Sequence, residues 1–150
     1  MKSNDLDQSE LNKEWILELF YRTKGNLDVV NRTIDTKLKL RGLRKITLFE
    51  EFIKNRLILN PRVLKMPKME VSTIEAVYLS QYLPLDGLEV LDLRKNYIGD
   101  EGLEAISQSP YFANLLELDL RSKGITRIGM KILGESKNSK WIDEGHPKKA

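Results

Sequence analysis

The chain has 150 residues, of which 41% are hydrophobic and 31% are charged, and its formal net charge is +3. This length and balance indicate one folded domain with a substantial core and exclude a largely disordered chain. Because the chain has no cysteine, disulfides, thiolate nucleophiles and cysteine metal sites are excluded as well.

The chain begins with MKSNDLDQSE, a polar stretch that lacks the apolar core of a secretory signal. Nowhere does an apolar run approach the roughly 20 residues that a membrane helix needs. We therefore expect a cytoplasmic protein without a membrane span.

The first predicted element is a helix over residues 9–21. Ser9 suits the start of a helix and Gly25 suits its end. The apolar residues on one face of this helix are Leu11, Trp15, Leu19 and Phe20. We interpret residues 1–35 as an N-terminal helical cap that covers the apolar end of the elements after it. The alternative is that the Trp15 face binds a groove on a partner.

Asn26 is predicted to start a second helix, whose apolar positions are Leu27, Val30 and Ile34. A basic block follows, since residues 36–68 hold ten Lys and Arg against two acids, a net charge of +8. Such a block is typical of nucleic-acid or anionic-surface sites, and also of solvated faces.

The chain then repeats itself. Residues 88–106 read LEVLDLRKNYIGDEGLEAI and residues 115–133 read LLELDLRSKGITRIGMKIL, with an offset of 27. The paired positions are Leu88 with Leu115, Leu91 with Leu118, Leu93 with Leu120, Ile98 with Ile125, Gly102 with Gly129, Leu103 with Met130, and Ile106 with Leu133. A weaker copy lies 27 residues earlier, at Leu64, Met66, Val71, Ala76 and Leu79. A further step of 26 reaches Leu38, Leu40, Leu43 and Ile53.

Each copy is predicted to form one strand followed by one helix. It opens with LxL, the period-two pattern of a short strand, and a helix-start residue follows in the same copy. The helix starts are Thr47, Ser72 with Thr73, Asp100 and Thr126. Two of them, Thr47 with Glu50 and Ser72 with Glu75, fit the capping box. Helical spacing follows in the first copy at Phe49, Phe52, Ile53 and Leu57.

This pattern resembles the leucine-rich repeat family, in particular its ribonuclease-inhibitor-like subtype with the motif LxxLxLxxNxIxDxGxxxL. The third copy matches the motif at Leu88, Leu91, Leu93, Asn96, Ile98, Asp100, Gly102 and Leu103. The resemblance covers residues 36–134 and implies an α/β repeat protein, a short right-handed solenoid of three to four leucine-rich repeats. Its parallel sheet would lie on the concave side and its helices on the convex side. The family's asparagine column, whose amides bind backbone of the adjacent turn, is kept only at Asn96.

The sequence does not decide two parts of the division of the chain into cap, repeats and C-terminal segment. The first copy, within residues 36–60, is either a true repeat or part of the helical cap. Residues 135–150 form a polar tail or a small cap, in which Trp141 and Ile142 are the large apolar residues. If they do not cover the last strand, Leu118 to Leu120, its edge is open to a second copy of the chain and a dimer is expected.

The resemblance also nominates the residues of a binding face, because the side chains between and beside the inward leucines point out of the concave side in this family. The middle column is Lys39, Lys65, Asp92 and Asp119, and the column two places on is Arg41, Pro67, Arg94 and Arg121. We expect protein binding through Asp92, Arg94, Asp119, Arg121, Lys39, Arg41 and Lys65. The alternative is that these charges are the solvated side of a half-buried sheet. Charge reversal at Asp92 and Asp119 should leave folding nearly intact in both cases.

Catalysis is not expected. The one histidine, His146, lies in the polar stretch GHPKKA, and no nucleotide-binding or metal-ligand spacing is present, so we expect neither a cofactor nor a metal. We expect a noncatalytic protein–protein interaction module, a scaffold that presents a charged concave strip to another protein. The alternative is nucleic-acid or anionic-surface binding through the basic block. Its phosphate-binding residues would be Lys37, Lys39, Arg41, Arg44, Lys45, Arg62, Lys65 and Lys68.

Overall fold

The structure, a computed structural model, describes residues 11–120, 126–129 and 131. Its helices are α1 (Lys13–Thr23), α2 (Leu27–Leu40), α3 (Ile46–Leu59), α4 (Thr73–Ser80) and α5 (Gly99–Gln108). Its strands are β1 (Val63–Lys65), β2 (Val90–Asp92) and β3 (Glu117–Asp119). Short 3-10 turns at Leu83–Leu85 and Pro110–Phe112 precede β2 and β3. Residues 127–129 and 131 are helical as well.

The strands form a small parallel sheet in the order β1-β2-β3. The central residues Leu64, Leu91 and Leu118 are in register and fully buried. The strands predicted for the second, third and fourth copies are therefore confirmed. Parallel strands need a crossover connection between them. Here α4 connects β1 to β2, and α5 connects β2 to β3. The described part of the chain is therefore a mixed α/β fold that is compatible with leucine-rich repeats.

The strand predicted at Leu38 and Leu40 is wrong, because both residues lie in the last turns of α2. Leu38 follows Val30 and Ile34 at intervals of four residues, and these three side chains are buried, whereas Leu40 is exposed. A strand with period two would bury Leu38 and Leu40 together. The helical period therefore outweighs the LxL pattern, and residues 36–59 hold the end of α2, a turn and α3 rather than a strand.

The beginning of α3 also differs from the sequence prediction. Thr47 and Glu50 do not form a capping box. Instead, the carboxylate of Asp35 accepts hydrogen bonds from the backbone N of Ile46 at 2.6 Å and from the hydroxyl of Thr47 at 2.8 Å. A carboxylate from α2 thus satisfies the free amide groups at the start of α3. The capping box predicted at Ser72 and Glu75 is confirmed at the start of α4.

The N-terminal helices pack against the helices of the repeats. The side chains of Ile16, Leu19 and Phe20 on α1 are buried in the common core, and Trp15 packs partly buried against it. This face of α1 is therefore used within the chain and not for a partner's groove. The helix begins after Asn12, whose side chain accepts from the backbone N of Trp15, while the predicted start at Ser9 lies outside the described residues.

A cluster of aromatic and polar side chains joins α2, α3 and α4. The buried hydroxyl of Tyr78 donates to Asn31 Oδ1 at 2.7 Å, and the hydroxyl of Tyr82 donates to Glu50 Oε2 at 2.9 Å. Asn31 Nδ2 closes the network by donating to Glu50 Oε1 at 2.7 Å. The ring of Tyr78 stacks on Tyr82 and meets the edge of Phe20. Each buried hydroxyl thus has an acceptor, as burial of a polar group requires.

The pKa values of Tyr78 and Tyr82 are raised well above the ordinary 10.0, chiefly because burial disfavours the charged phenolate. Above pH 10 the unfolded chain therefore releases these protons while the folded chain keeps them. We expect each tyrosine to reduce the free energy of unfolding by up to about 1.4 kcal/mol per pH unit above that point. Urea unfolding between about pH 9 and about pH 11 measures this slope.

The matched variants are Tyr82→Phe and Tyr21→Phe, because Tyr21 is exposed. Tyr82→Phe should flatten the alkaline slope more than Tyr21→Phe does. Equal slopes for Tyr82→Phe and the wild type would show that Tyr82 ionises in the folded protein near its ordinary pKa.

Candidate binding face on the sheet

The strand register brings three charged residues into one row. Lys65 lies beside Asp92 on β2, and Asp92 lies beside Asp119 on β3. Successive residues of a strand point to opposite faces, so this row lies on the face opposite to the buried leucines. The predicted middle column is therefore present at three of its four positions.

Arg94 joins the two aspartates of this row. Its Nε lies 3.0 Å from Asp92 Oδ1 and 3.1 Å from Asp92 Oδ2, and 3.7 Å from Asp119 Oδ2. The backbone N of Arg94 also donates to Asp92 Oδ1 at 3.0 Å. Asp92 and Asp119 are each only 6% exposed, so both carboxylates lie largely out of water.

The sequence predicts that charge reversal at Asp92 and Asp119 leaves folding nearly intact. Because both carboxylates are buried, we instead expect charge reversal to destabilise the folded protein. A lysine at either position would place a cation against the Arg94 guanidinium in a site with little water to screen the repulsion. The aspartates are therefore part of the folded framework that orders Arg94, and the accessible charges of the face are other residues.

The accessible charges are Lys65 and Glu117, which are exposed, and Arg94, which is half-buried. A depression of about 200 Å³ lies over the sheet here, lined by Lys65, Val90, Leu91, Asp92, Arg94, Glu117 and Asp119. We call Lys65, Asp92, Arg94, Glu117 and Asp119 the sheet face. The sequence prediction missed Glu117, although its place two residues before Asp119 puts it on the same face of β3.

Asn96 fixes the backbone that carries Arg94. Its Nδ2 donates to the carbonyl oxygens of Met66 at 2.8 Å, Leu93 at 3.1 Å and Arg94 at 3.2 Å. Its Oδ1 accepts from the backbone N of Met69 and of Val71, each at 2.9 Å. The amide thus binds the turn after β2 to the turn after β1, the contact that the family resemblance implied.

The remaining predicted residues lie elsewhere. Lys39 is in α2 and Arg41 follows its last residue, so neither is beside a strand. Their placement in the two columns was wrong for the same reason as the first strand. Pro67, in contrast, keeps its predicted place two residues after Lys65: the hydrogen bonds from Met66 N to Asp92 O and from Lys68 N to Arg94 O place it beside Arg94, and it is half-buried. Arg121 lies outside the described residues, as do Trp141 and Ile142.

The basic block is spread over several elements. Lys37 and Lys39 lie in the last turn of α2, where positive charge complements the helix dipole. Other guanidinium groups are engaged: Arg44 binds both oxygens of Glu75 at 2.7 and 2.6 Å, and Arg62 binds Glu89 at 2.8 Å. The hydrogen bonds to Glu75 raise the pKa of Arg44 above its usual value. The block therefore does not form one continuous row of free cations.

The described residues present no group of three or more His, Cys, Asp or Glu side chains able to hold a metal ion. None of the helices in this part of the chain is long and apolar enough to cross a membrane. The sheet face offers a fixed pattern of opposite charges at the surface. Such a pattern can recognise a polar surface of complementary charge.

Residues 88–107 match the family model described as Leucine Rich repeat. The match runs from the residues before β2 to the end of α5 and includes Asp92, Arg94 and Asn96. It supports a leucine-rich repeat protein, a class whose domains generally mediate protein–protein interaction and are typically noncatalytic. No curated protein and no solved structure matches the chain significantly.

Proposed function

We propose that this chain is a noncatalytic protein-binding module that presents the sheet face to another protein. In this proposal the repeats are of the ribonuclease-inhibitor-like subtype, they form a short right-handed solenoid, and the sheet face lies on its concave side as a scaffold for the partner. The observation that carries the proposal is the ordered row of charge. Lys65 and Glu117 are exposed around Arg94, which Asp92 holds in place.

The physical advantage of such a row is preorganisation. Arg94 is held by Asp92 before any partner arrives, and the backbone under it is held by Asn96, so little side-chain freedom is lost on binding. Exposed charges at the rim chiefly raise the association rate and select the partner's orientation, whereas held and half-buried charges limit dissociation. The partner should therefore carry an acid opposite Lys65 and a base opposite Glu117.

The proposal is tested by exchanging the two exposed charges. The double variant Lys65→Glu, Glu117→Lys keeps the net charge and leaves the buried aspartates in place. Because Lys65 lies beside Asp92, circular dichroism first verifies that this variant is folded. The control variant Glu51→Lys, Lys54→Glu makes the same exchange on exposed positions of α3. Each protein is used to capture partners from native lysate treated with nuclease, and the captured proteins are identified by mass spectrometry.

We expect a protein partner that wild type and control retain and that the Lys65, Glu117 variant loses at least tenfold, because two favourable charge contacts become repulsive. Retention of the same partners by all three proteins would contradict the proposal. Capture that depends on undigested nucleic acid would favour the alternative function. The cytoplasmic location, the division at residues 35 and 134 and a dimer through β3 stay predictions.

A further inference from the structure

The turn between α2 and α3 is both basic and apolar at its surface. Residues 39–45 read KLRGLRK, and we call this segment the basic corner. Residues 40–45 are all exposed. Leu40 is 72% exposed and Leu43 is 53% exposed, although both are large apolar side chains. Two large apolar side chains exposed within one basic turn are candidates for a surface that another apolar phase covers.

The backbone of the corner is regular rather than frayed. The N–H of Leu43 donates to Leu38 O at 3.0 Å and that of Gly42 donates to Lys39 O at 3.1 Å, the two bonds of a Schellman motif. Gly42 has φ +69°, a conformation that favours glycine. Asp35 then fixes the start of α3 through Ile46. Leu40 and Leu43 are therefore held at the surface by a defined turn.

The charges of the corner are available. Lys39, Arg41 and Lys45 are exposed, and none of them forms an ion pair with the described residues. No acid occurs in the sequence between Asp35 and Glu50. These two carboxylates lie near Lys39 and Lys45, but Asp35 binds the start of α3 and Glu50 binds Asn31 and Tyr82.

We propose that the basic corner docks on the surface of an anionic lipid bilayer. Leu40 and Leu43 enter the boundary between headgroups and acyl chains, while Lys39, Arg41 and Lys45 contact the lipid phosphates. Basic residues beside an anionic membrane each strengthen partitioning about fivefold, and a buried leucine side chain adds about tenfold or more. Segments that bind membranes peripherally combine electrostatic attraction to anionic lipids with burial of apolar side chains.

A bilayer fits this surface better than a nucleic acid does. Phosphates of RNA or DNA would contact the three cations and leave Leu40 and Leu43 in water. Nucleic-acid surfaces of this kind also supply aromatic rings on which bases stack, and residues 37–48 contain no aromatic residue. Transfer of both leucine side chains from water into the apolar interior of a bilayer is, in contrast, favourable.

Vesicle sedimentation tests the proposal. Full-length protein is mixed with vesicles of phosphatidylcholine or with equimolar phosphatidylcholine and phosphatidylserine. We expect binding to the anionic vesicles only. The variant Lys39→Gln, Arg41→Gln, Lys45→Gln should bind roughly 100-fold more weakly, and Leu40→Ser, Leu43→Ser should also bind about 100-fold more weakly. The Lys65→Glu, Glu117→Lys variant should bind as wild type does, since the corner does not depend on the sheet face.

Two controls remove equal charge and equal apolar surface elsewhere. Lys54→Gln, Lys68→Gln, Lys95→Gln removes three exposed cations, and Leu83→Ser, Leu116→Ser removes two exposed leucines. Circular dichroism verifies that each variant is folded. The proposal is overturned if wild type stays unbound, if the controls weaken binding as much as the corner variants, or if the leucine variant binds like wild type. The proposal is also overturned if the protein binds a mixed-sequence RNA but no vesicles, and if the leucine variant binds that RNA as wild type does.

Discussion

Replacing Asn96 by alanine should lower the free energy of unfolding by about 3 to 5 kcal/mol, because several buried backbone groups lose their partner together. The amide N–H groups of Met69 and Val71 and the carbonyl of Met66 are bound by this one side chain. A methyl group at position 96 cannot form these hydrogen bonds. Urea denaturation measures the loss.

Asn96→Asp distinguishes the hydrogen bonds that the Asn96 side chain accepts from those that it donates. An aspartate keeps the oxygen that accepts from Met69 and Val71 but brings a second oxygen against the carbonyls of Met66, Leu93 and Arg94. We therefore expect Asn96→Asp to be destabilised too, by at least about 2 kcal/mol, because acceptors then face one another. The exposed Asn55→Ala on α3 is the control and should change stability by less than about 0.5 kcal/mol. A loss below about 1 kcal/mol for Asn96→Ala would contradict the contact between turns.

The second large effect is expected from truncating the leucines that line the sheet. Leu91→Ala and Leu118→Ala should each lower the free energy of unfolding by about 2 to 5 kcal/mol, because each leaves a cavity in a packed core. Leu91 lies on the middle strand between Leu64 and Leu118, so its cavity has the least room to collapse. Leu91→Ala should therefore show the larger loss of the two.

Leu116→Ala provides the comparison, since Leu116 is exposed just before β3 and its truncation should cost less than about 1 kcal/mol. Thermal and urea unfolding of the three variants rank their losses in the free energy of unfolding. If Leu91→Ala and Leu118→Ala both changed stability by less than about 1 kcal/mol, the alignment of the repeats would be wrong.

The position of the charged residues shows where sequence patterns stop being informative. Alternation in LDLR places Asp92 and Asp119 on the outer face of the sheet, and the structure agrees. Alternation says nothing about what lies above that face. Arg94 folds back over Asp92 and approaches Asp119, so the two carboxylates become framework, and Lys65 and Glu117 remain as the accessible charges.

The sequence by itself determined the repeat. Its spacing of leucines predicts β1, β2 and β3, and its Ser72 and Glu75 predict the capping box of α4. These features are readable because each rests on local geometry: the two-residue period of a strand and the free amides at a helix start depend on residues close together in the chain. The bond of Asn96 between adjacent turns was implied by the family resemblance.

Only the tertiary structure decided between competing local patterns. Leu38 and Leu40 fit a strand, and Val30, Ile34 and Leu38 fit a helix; the buried core around α2 favours the helix because it covers Val30, Ile34 and Leu38 on one face. The start of α3 is likewise decided by Asp35, 11 residues away from Ile46. Such choices depend on the free energy of contacts between elements, which neither local pattern contains.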